Sequence, residues 1–416
     1  MAVKRLPAGV LFLGCLAFAA GYSYFATTGY RAFALSNDQH MRSLQRAIAL
    51  EPRDAVPYDR LCRHLRDVES DPATAISLCQ KAVQLNRYDA EYWLDLAETF
   101  YEAGNAPEQR RAIEHAIAVD PKTPQVAWNA ATFYLLQGEV EPAVHLLPDV
   151  LEGDPALVPV TLRTAWQALG RVDPILRMMP PDPAVYLQFL ALLTAQNQPE
   201  AAAQVWSKLI DLNTEFNYHD AMFYVDNLLA AKDVQAAEQV WTQLGERSPG
   251  FRNYGRKPEN LVINGSFEYE ILNAGFGWRT NPQGTKIEVD EEMRKDRGRS
   301  VLVSYSTPVL DAGLSQLIPV DPETTYTAAA WVKSEDLQTA NGPRLAVFDA
   351  YTGANFAASE PTSYTTGWRA VRVQFTTGPQ TRLLSLRFSR DRQDTVIRGR
   401  LWIDDVHLMR VGEQVH

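Results

Sequence analysis

Two adjacent carboxylates in the stretch LWIDDVHLMR, residues 401–410, are the first candidates for chemistry in this 416-residue chain. A pair of carboxyl groups can hydrolyse a glycoside when the two groups flank one glycosidic bond. Asp404 and Asp405 are neighbours in a predicted strand, where successive side chains point to opposite faces. The two groups cannot flank one bond, so this stretch predicts no hydrolase.

Other catalytic and metal-binding patterns are missing from the sequence. Its seven histidines are scattered, without an H-E-x-x-H motif or a cluster of Cys and His at metal-ligand spacing. G-x-S-x-G, Walker and G-x-G-x-x-G loops are also missing. We therefore predict that the protein is not an enzyme.

The net charge argues against one class of partner. The chain has 40 Lys and Arg residues against 50 Asp and Glu residues, a net charge of −10, and no block of basic residues. Binding of phosphates requires a clustered basic surface. The sequence thus predicts no interaction with nucleic acid.

Residues 1–28 form a predicted membrane anchor or signal. Residues 6–26 carry no charge, and a helix of 21 apolar residues spans about 30 Å of hydrocarbon. Lys4 and Arg5 precede it, so the positive-inside rule places the remainder outside the cytoplasm. We expect a single-pass inner-membrane protein with its bulk in the periplasm or outside. The alternatives are cleavage at the A-x-A-like site of Ala17 and Ala19, which yields a secreted protein, and lipid attachment at Cys15.

A repeat of about 34 residues follows, over residues 29–250. Pro52, Arg87, Pro121 and Pro155 occupy equivalent places, spaced 35, 34 and 34 residues apart. Each unit shows helical spacing of apolar residues, a turn, and a second helix, and Gly138 is predicted to end one first helix. These features resemble tetratricopeptide repeats. The resemblance implies an α-solenoid of about six helical hairpins that binds a protein partner, with a bend or break at residues 180–183.

The repeat arrangement bears on two cysteines. Cys62 lies about eight residues before the turn at Ser70 and Asp71, and Cys79 lies about as far after it. An antiparallel helix pair would bring the two level, so we predict that they are adjacent and form a disulfide. The alternative is that both are small buried apolar residues.

The pattern changes after a polar linker at residues 251–259. Apolar residues then alternate with polar ones, as in Val301, Val303 and Tyr305, and Gly, Pro, Asn and Asp separate the runs. Short alternating strands with such turns predict an antiparallel β-sandwich over residues 260–412. The fold class is therefore multidomain α + β: an N-terminal transmembrane helix, an α-solenoid and a C-terminal sandwich.

Several motifs of this module occur in a family-specific order. NLVINGSFE, GW, LSQLIPVDPETTYTAAAWVK, GWRAVRVQF and LWIDDVHL follow one another from residue 260 to residue 408. The module resembles jelly-roll carbohydrate-binding modules of families 4 and 9 and their galactose-binding-like relatives. The resemblance implies a jelly roll that binds glycan. Related sandwiches also serve as structural or protein-binding domains.

The same resemblance implies a structural calcium ion where the first and last strands meet. Its carboxylate ligands would be Glu268 and Asp405, with Asp404 as a neighbour. Calcium binds six to eight oxygens, so backbone carbonyls would have to complete the shell. The basic stretch RKDRGR at residues 294–299 offers an alternative, in which Arg or Lys neutralises Glu268 without a metal.

Sugar binding requires aromatic platforms, because pyranose rings stack on aromatic faces while polar groups bond the hydroxyls. We predict Tyr305, Tyr351 and Trp402 as candidates on the concave face, and Trp331 and Trp368 as core residues. The leading hypothesis is a non-catalytic, membrane-anchored scaffold of a Gram-negative bacterium that binds protein and glycan, in cell-surface polysaccharide biosynthesis or export. The alternatives are an envelope assembly factor whose sandwich binds no sugar, and an accessory subunit of a polysaccharide-degrading complex.

Overall fold

A computed structural model describes residues 8–38, 40–295, 298–391 and 396–412, with side chains from residue 12 onward. The chain divides between Pro180 and Pro181 into two compact units, here called the N-terminal and the C-terminal unit. The division does not coincide with the change from helix to strand, because four helices belong to the same unit as the strands.

The described part of the N-terminal unit contains ten α-helices. They are α1 (Ala8–Ser36), α2 (Met41–Leu50), α3 (Val56–Asp67), α4 (Pro72–Leu85), α5 (Ala90–Glu102), α6 (Ala106–Val119), α7 (Pro124–Leu136), α8 (Val140–Gly153), α9 (Val158–Leu169) and α10 (Val172–Met178). The helices α3 and α4, α5 and α6, and α7 and α8 pack as successive hairpins. The helical-repeat fold predicted from the 34-residue period is thus confirmed.

Local sequence explains where the hairpins turn. The Asp71 carboxylate accepts a hydrogen bond from the Thr74 amide at 3.1 Å and caps α4, and Asn105 caps α6 in the same way. Gly104 and Gly138 follow α5 and α7 with φ of +68° and +77°, where a side chain would strain the backbone. Small buried residues between the helices, such as Ala97, allow close packing.

The helix α1 covers most of the predicted membrane span at residues 6–26. Residues 6 and 7 lie outside the described chain, and so do the side chains of residues 8–11. Several large apolar side chains of α1 are exposed, including Phe12, Phe18 and Phe25. Among the described residues, no helix has both the length and the hydropathy needed to cross a membrane. The described chain therefore does not support the predicted transmembrane helix.

The C-terminal unit begins with four α-helices and two 3-10 turns. These are α11 (Pro183–Ala195), α12 (Pro199–Asp211), the turn Tyr218–Ala221, α13 (Met222–Ala230), α14 (Val234–Arg247) and the turn Pro249–Tyr254. The helices pack as α11 with α12 and α13 with α14. Trp206 and Trp241 occupy equivalent places in α12 and α14, 35 residues apart in the sequence, and both are buried.

Ten strands follow in the described part of this unit. They are β1 (Trp278–Thr280), β2 (Thr285–Asp290), β3 (Ser300–Tyr305), β4 (Asp311–Pro319), β5 (Thr325–Gln338), β6 (Arg344–Asp349), β7 (Asn355–Ala358), β8 (Tyr364–Thr376), β9 (Leu383–Ser389) and β10 (Arg398–Arg410). The first sheet has the order β1-β4-β9-β6-β7 and the second the order β2-β3-β10-β5-β8. Neighbouring strands are antiparallel, which confirms the predicted two-sheet sandwich.

Alternating side chains of both sheets form the core. Leu314 and Leu386 from the first sheet meet Val303 and Leu401 from the second, and all are fully buried. Their neighbours along each strand point outward, as period-two alternation requires. The outward residues of the first sheet, which form the candidate site below, are therefore positioned by the apolar residues on either side of them.

The helices α13 and α14 pack against one end of the sandwich. The Trp241 indole contacts Phe251 and Phe276, with ring centroids 4.6 and 5.4 Å apart, and its Nε1 donates to the Tyr254 carbonyl oxygen at 2.8 Å. Gly275 adopts φ of +53°, and a Cβ there would lie 2.3 Å from the indole. A glycine at this position is therefore required for the strand-entry loop to approach the helix.

Candidate binding surfaces

The three aromatic residues predicted as sugar platforms lie in three different settings. Tyr305 is 5% exposed and packs in the core between the sheets. Burial raises the pKa of its hydroxyl. The prediction that Tyr305 faces a ligand is wrong, because the alternation of β3 turns Val301, Val303 and Tyr305 together toward the other sheet.

Tyr351 and Trp402 are not open platforms either. The Tyr351 hydroxyl donates to the Leu229 carbonyl oxygen of α13 at 2.9 Å, and Lys232 Nζ lies 5.5 Å from the ring centre. Trp402 is on the outer face of the second sheet but only 3% exposed, and its Nε1 donates to Asp290 at 2.8 Å. The structure therefore uses Tyr351 to hold helix α13 and covers Trp402 with neighbouring side chains.

The two tryptophans predicted as core residues, Trp331 and Trp368, lie in different environments. Trp331 lies on the outward side of β5, where Lys295 Nζ is 4.4 Å from its ring centre, so the prediction that it is a core residue is wrong. Trp368 is half-buried on β8. The residue type alone did not distinguish the faces, because an indole is stable both in a core and beneath a cation.

The carboxylates predicted to bind calcium lie where the first segment meets the last strand. The Val406 amide donates to the Gly265 carbonyl oxygen at 3.0 Å, which brings the two segments together. Asp404 is buried and accepts from the Lys295 amide at 2.8 Å, and Asp405 Oδ1 is 2.6 Å from His407 Nε2. Within the described residues, no group of three or more Asp, Glu, His or Cys residues is arranged to hold a metal.

Glu268 is adjacent to the basic stretch that the sequence offered as an alternative to metal. The Arg299 guanidinium donates to the Glu268 carbonyl oxygen at 2.5 Å, and a Cβ at Gly298 would lie 2.8 Å from Glu268 Cγ. Residues 296 and 297 of that stretch lie outside the described chain. The predicted calcium site therefore remains a prediction.

Cys62 and Cys79 are joined by a disulfide between α3 and α4, with the Cα atoms 5.4 Å apart. Both cysteines are fully buried. The antiparallel hairpin brings them level across the turn, as the repeat arrangement predicts. The bond closes a loop over a sequence separation of 17 residues and ties the first well-formed hairpin of the repeats.

The outer face of the first sheet contains a groove of about 380 Å³ that the sequence reasoning missed. Its floor consists of small residues, with Ser315 of β4 opposite Arg279 of β1 and Arg387 of β9. Phe348 of β6 lies opposite Ser385 of β9. The Arg387 guanidinium stacks 3.8 Å from the Phe348 ring centre and pairs with Asp311 at 3.4 Å.

The edge of this groove is rich in hydrogen-bonding groups. The Gln283 amide donates to Asn281 at 2.9 Å, and the Gly313 amide donates to Asp311 at 2.8 Å. Gly313 has φ of +84°, and a Cβ there would lie 2.6 Å from the Asn281 carbonyl oxygen. The groove lining thus combines a guanidinium, a carboxylate and two side-chain amides with small residues and with Val309 and Leu310. The Phe348 ring lies beside the groove, beneath the Arg387 guanidinium. In the sequence, the only signal was the charged Arg387 between the apolar Leu386 and Phe388.

A second groove, of about 440 Å³, lies on the first helices of two hairpins in the N-terminal unit. The helices α5 and α7 line it with large apolar side chains and with carboxylates and amides, and α3 adds one arginine. The lining includes Arg63, Glu91, Leu94, Asp95, Glu98, Tyr101, Gln125, Trp128, Asn129 and Leu136. Leu136 and Tyr101 are 70% and 54% exposed, so their apolar surfaces are accessible in the groove.

Ionic groups pack along the α3 side of this groove. Arg63 pairs with Asp59 at 2.6 Å and with Asp95 at 3.5 Å, and Arg66 pairs with Asp95 at 3.2 Å. Burial and the neighbouring Asp59 raise the pKa of Asp95 to about 7, although the two guanidiniums oppose the shift. Burial likewise raises the pKa of Asp59. Beside the groove, the carboxyl groups of Asp59 and Asp95 therefore both keep their protons to a higher pH than an exposed carboxyl group does.

Comparison with known families agrees with this architecture. Residues 259–393 match the model of a carbohydrate binding domain, and residues 69–127 match the model of a tetratricopeptide repeat. No curated protein matches the chain.

Solved structures resemble parts of the chain at low identity. A structure described as "CBM4 structure and function" is 15% identical with a TM-score of 0.29, covering 36% of this chain and 99% of the other. YrrB, a tetratricopeptide protein with an unusual peptide-binding site, is 15% identical with a TM-score of 0.29, covering 42% and 93%. The CBM22-1 and GH10 modules of xylanase 10B from Clostridium thermocellum, complexed with xylohexaose, are 17% identical with a TM-score of 0.28, covering 37% and 29%. The two family matches show that the chain carries tetratricopeptide repeats followed by a C-terminal domain of the carbohydrate-binding kind.

Proposed function

We propose that this protein is a non-catalytic scaffold whose sandwich binds a glycan and whose repeats bind a protein partner. Both matched kinds of domain are non-catalytic binding domains. The observation that carries the glycan part is the outer face of the first sheet, where Arg387 lies over Phe348 beside a floor of small residues. A sugar ring needs such a flat floor with hydrogen-bonding groups at its edge.

The chemistry of the groove suits a glycan better than an apolar ligand. Asp311, Asn281 and Gln283 offer acceptors and donors to hydroxyl groups, and Arg387 offers further donors. Phe348 supports the Arg387 guanidinium from beneath, which holds those donors beside the groove. Binding to this groove would be of moderate affinity, because its lining offers hydrogen-bonding groups and no open aromatic face among the described residues.

The export of the protein is part of the proposal. Two features support it: the charge-free segment at residues 6–26 with exposed aromatic side chains on α1, and the disulfide between Cys62 and Cys79. Disulfides persist in oxidising compartments such as the periplasm. The proposed location is the inner membrane, with the bulk of the chain in the periplasm and a role in cell-surface polysaccharide biosynthesis or export. Cleavage of the segment would instead yield a secreted protein.

A structural calcium ion beside Glu268 and Asp405 is proposed on the family resemblance alone. A hard cation would take carboxylate and carbonyl oxygens there. If calcium binds, added calcium should raise the thermal midpoint of the C-terminal unit, and Asp405→Asn should abolish that rise. An unchanged midpoint in millimolar calcium would exclude this site.

One alternative is supported by a specific observation. The sandwich is already engaged by protein, because Tyr351 and Phe276 contact α13 and α14. Arg256 of the linker also joins Glu238 of α14 to the Pro319 carbonyl oxygen of β4. A sandwich that packs on helices in its own chain fits an envelope assembly factor that binds protein and no sugar. The two functions differ in whether the groove at Arg387 is used.

Binding of the intact chain to an array of bacterial and plant glycans tests the proposal, once in calcium and once in EDTA. The intact chain is needed because the sandwich shares buried contacts with α13 and α14. Binding that Arg387→Ala and Phe348→Ala each weaken about tenfold or more would support the glycan function. Binding to no glycan, with partner protein captured through the sandwich, would favour the assembly factor.

A further inference from the structure

Carboxylates outnumber guanidiniums along the groove of the N-terminal unit. Five acidic residues of α3 and α5 surround two arginines: Asp59, Asp67, Glu91, Asp95 and Glu98 around Arg63 and Arg66. Arg66 pairs with Asp67 at 2.6 Å and with Glu98 at 3.0 Å, in addition to Asp95. Both arginines are thus shared among several carboxylates, and the α3–α5 ion cluster retains excess negative charge.

Two carboxyl groups of this cluster are buried side by side. Asp59 is 1% exposed, its Oδ2 accepts from Arg63, and its carboxyl also shares a side-chain hydrogen bond with Asp95. Ionising both of two buried neighbouring carboxyl groups is electrostatically costly, and a further positive charge nearby would lower that cost. The groove side of the cluster is where such a charge could approach, because Asp95 and Glu98 line the groove.

The α7 wall of the groove is apolar and carries amides. Trp128 and Leu136 of α7 present large apolar surfaces, and the Gln125 amide donates to Asn129 at 3.0 Å. Tyr101 adds apolar surface near the end of α5. In the groove lining, α6 and α7 contribute no charged side chain. Apolar surface on one wall and excess negative charge on the other complement a ligand that is itself apolar and basic.

We propose that this groove binds a linear segment of a partner protein that carries a lysine or arginine beside a large apolar side chain. The cationic group would pair with Asp95 and Glu98, and the apolar side chain would pack against Trp128 and Leu136. The inference rests on the proposed protein-binding function of the repeats and specifies the chemistry of the partner.

Binding of a cationic segment in this groove should depend on pH, because it depends on whether Asp95 is protonated. The charged groups that act directly on Asp95 are Asp59, Arg63 and Arg66 from α3. Glu91 and Glu98 of α5 line the same groove, and Arg66 also pairs with Asp67 and Glu98. The raised pKa of Asp95, about 7, means that a fraction of the free protein carries a proton there near neutral pH. A ligand cation favours the carboxylate, so binding releases a proton, and affinity rises with pH up to about 7 and then levels off.

The test uses the intact chain and three fluorescein-labelled synthetic peptides of equal length, measured by anisotropy. The first combines two lysines with two leucines, the second replaces the lysines by glutamates, and the third replaces the leucines by serines. We expect the first peptide to bind at least tenfold more tightly than either of the others. Equal binding of the lysine and glutamate peptides, or no binding of the first, would overturn the proposal.

Variants separate this proposal from the broader function. Glu98→Gln and Asp95→Asn should each lower the affinity for the first peptide about five- to tenfold. The matched variant Glu200→Gln on α12 should leave that affinity unchanged. Asp95→Asn should also remove the pH dependence. If Trp128→Ala abolishes binding while both charge variants leave it unchanged, the repeats still bind a protein segment, but the proposed basic partner is wrong. Circular dichroism confirms that each variant is folded.

Discussion

The helical repeats of the N-terminal unit and those of the C-terminal unit follow the same period but expose different surfaces. In the N-terminal unit, α5 and α7 leave Tyr101, Trp128 and Leu136 along an open groove. In the C-terminal unit, the sandwich packs against part of α13 and α14, and Trp241 is only 3% exposed between Phe251 and Phe276. The same kind of helical hairpin thus packs against the sandwich in the C-terminal unit and leaves a groove open in the N-terminal unit.

This difference shows that an aromatic residue in a repeat has no fixed role. Each repeat buries one face against its neighbours and leaves the other for whatever chain adjoins it. Where the next segment supplies Phe276 and Gly275, the indole of Trp241 becomes core. Where no described segment covers the helices, as at Trp128, the surface is available to a partner. The comparison can be tested by variants in both units.

The largest effect is expected from Trp241→Ala. The substitution removes a buried indole with its hydrogen bond to Tyr254, and losses of about 3–5 kcal/mol are typical for buried Trp. We expect a fall of about 4 kcal/mol in the free energy of unfolding of the C-terminal unit, measured by denaturant titration with near-ultraviolet detection. Trp128→Ala is the matched variant and should cost less than about 1.5 kcal/mol, since its indole is partly solvated. Equal losses would contradict the distinction between the two surfaces.

The next largest effect on the free energy of unfolding is expected from removing the disulfide. Closing a loop of 17 residues removes entropy worth about 3 kcal/mol from the unfolded chain. Replacing both Cys62 and Cys79 by serine should therefore lower the free energy of unfolding of the N-terminal unit by about 3 kcal/mol and leave the C-terminal unit unchanged. Reductant should destabilise the native protein but not this variant. Cys15→Ser, at the exposed free cysteine, is the control and should have no effect.

Loss of one aromatic ring tests the sheet groove. Phe348→Ala should weaken binding of the best glycan about tenfold, which corresponds to about 1.4 kcal/mol, without changing the thermal midpoint by more than a few degrees. Tyr364→Ala, on the exposed start of β8 in the second sheet, should leave glycan affinity unchanged. Isothermal titration calorimetry measures both. A larger loss for Tyr364→Ala would move the site to the second sheet.

The smallest effect concerns pH. Because the folded pKa of Asp95, about 7, lies above the unfolded value of 3.8, its contribution to stability is complete below pH 3.8 and is lost as pH rises through 7. The free energy of unfolding of the N-terminal unit should therefore fall between pH 5 and pH 8, and Asp95→Asn should make this fall smaller by about 1 kcal/mol. Part of the fall should persist in the variant, because burial also raises the pKa of Asp59. Denaturation at the two pH values measures the slope. A steeper decline in the variant would show that Asp95 is ionised in the native state below pH 5.

Much of the fold was predictable from local patterns. The period of 34 residues, the caps at Asp71 and Asn105 and the alternation in the last third are all properties of short stretches of sequence. The location of the binding surfaces was less predictable. Arg387 and Phe348 are adjacent only because β9 and β6 are neighbours in the first sheet, although β7 and β8 intervene along the chain.

The sequence by itself determined which segments are helices and which are strands, their order, and the separation of the repeats from the sandwich. These features depend on the spacing of apolar residues that are only a few positions apart in the chain. Only the tertiary structure decided which aromatic residues are exposed. Tyr305, Tyr351 and Trp402 looked equivalent as sugar platforms, but one lies between the sheets, one holds α13 and one is covered by its neighbours. Exposure depends on what packs against a residue from far away in the chain, and no local pattern of residues carries that information.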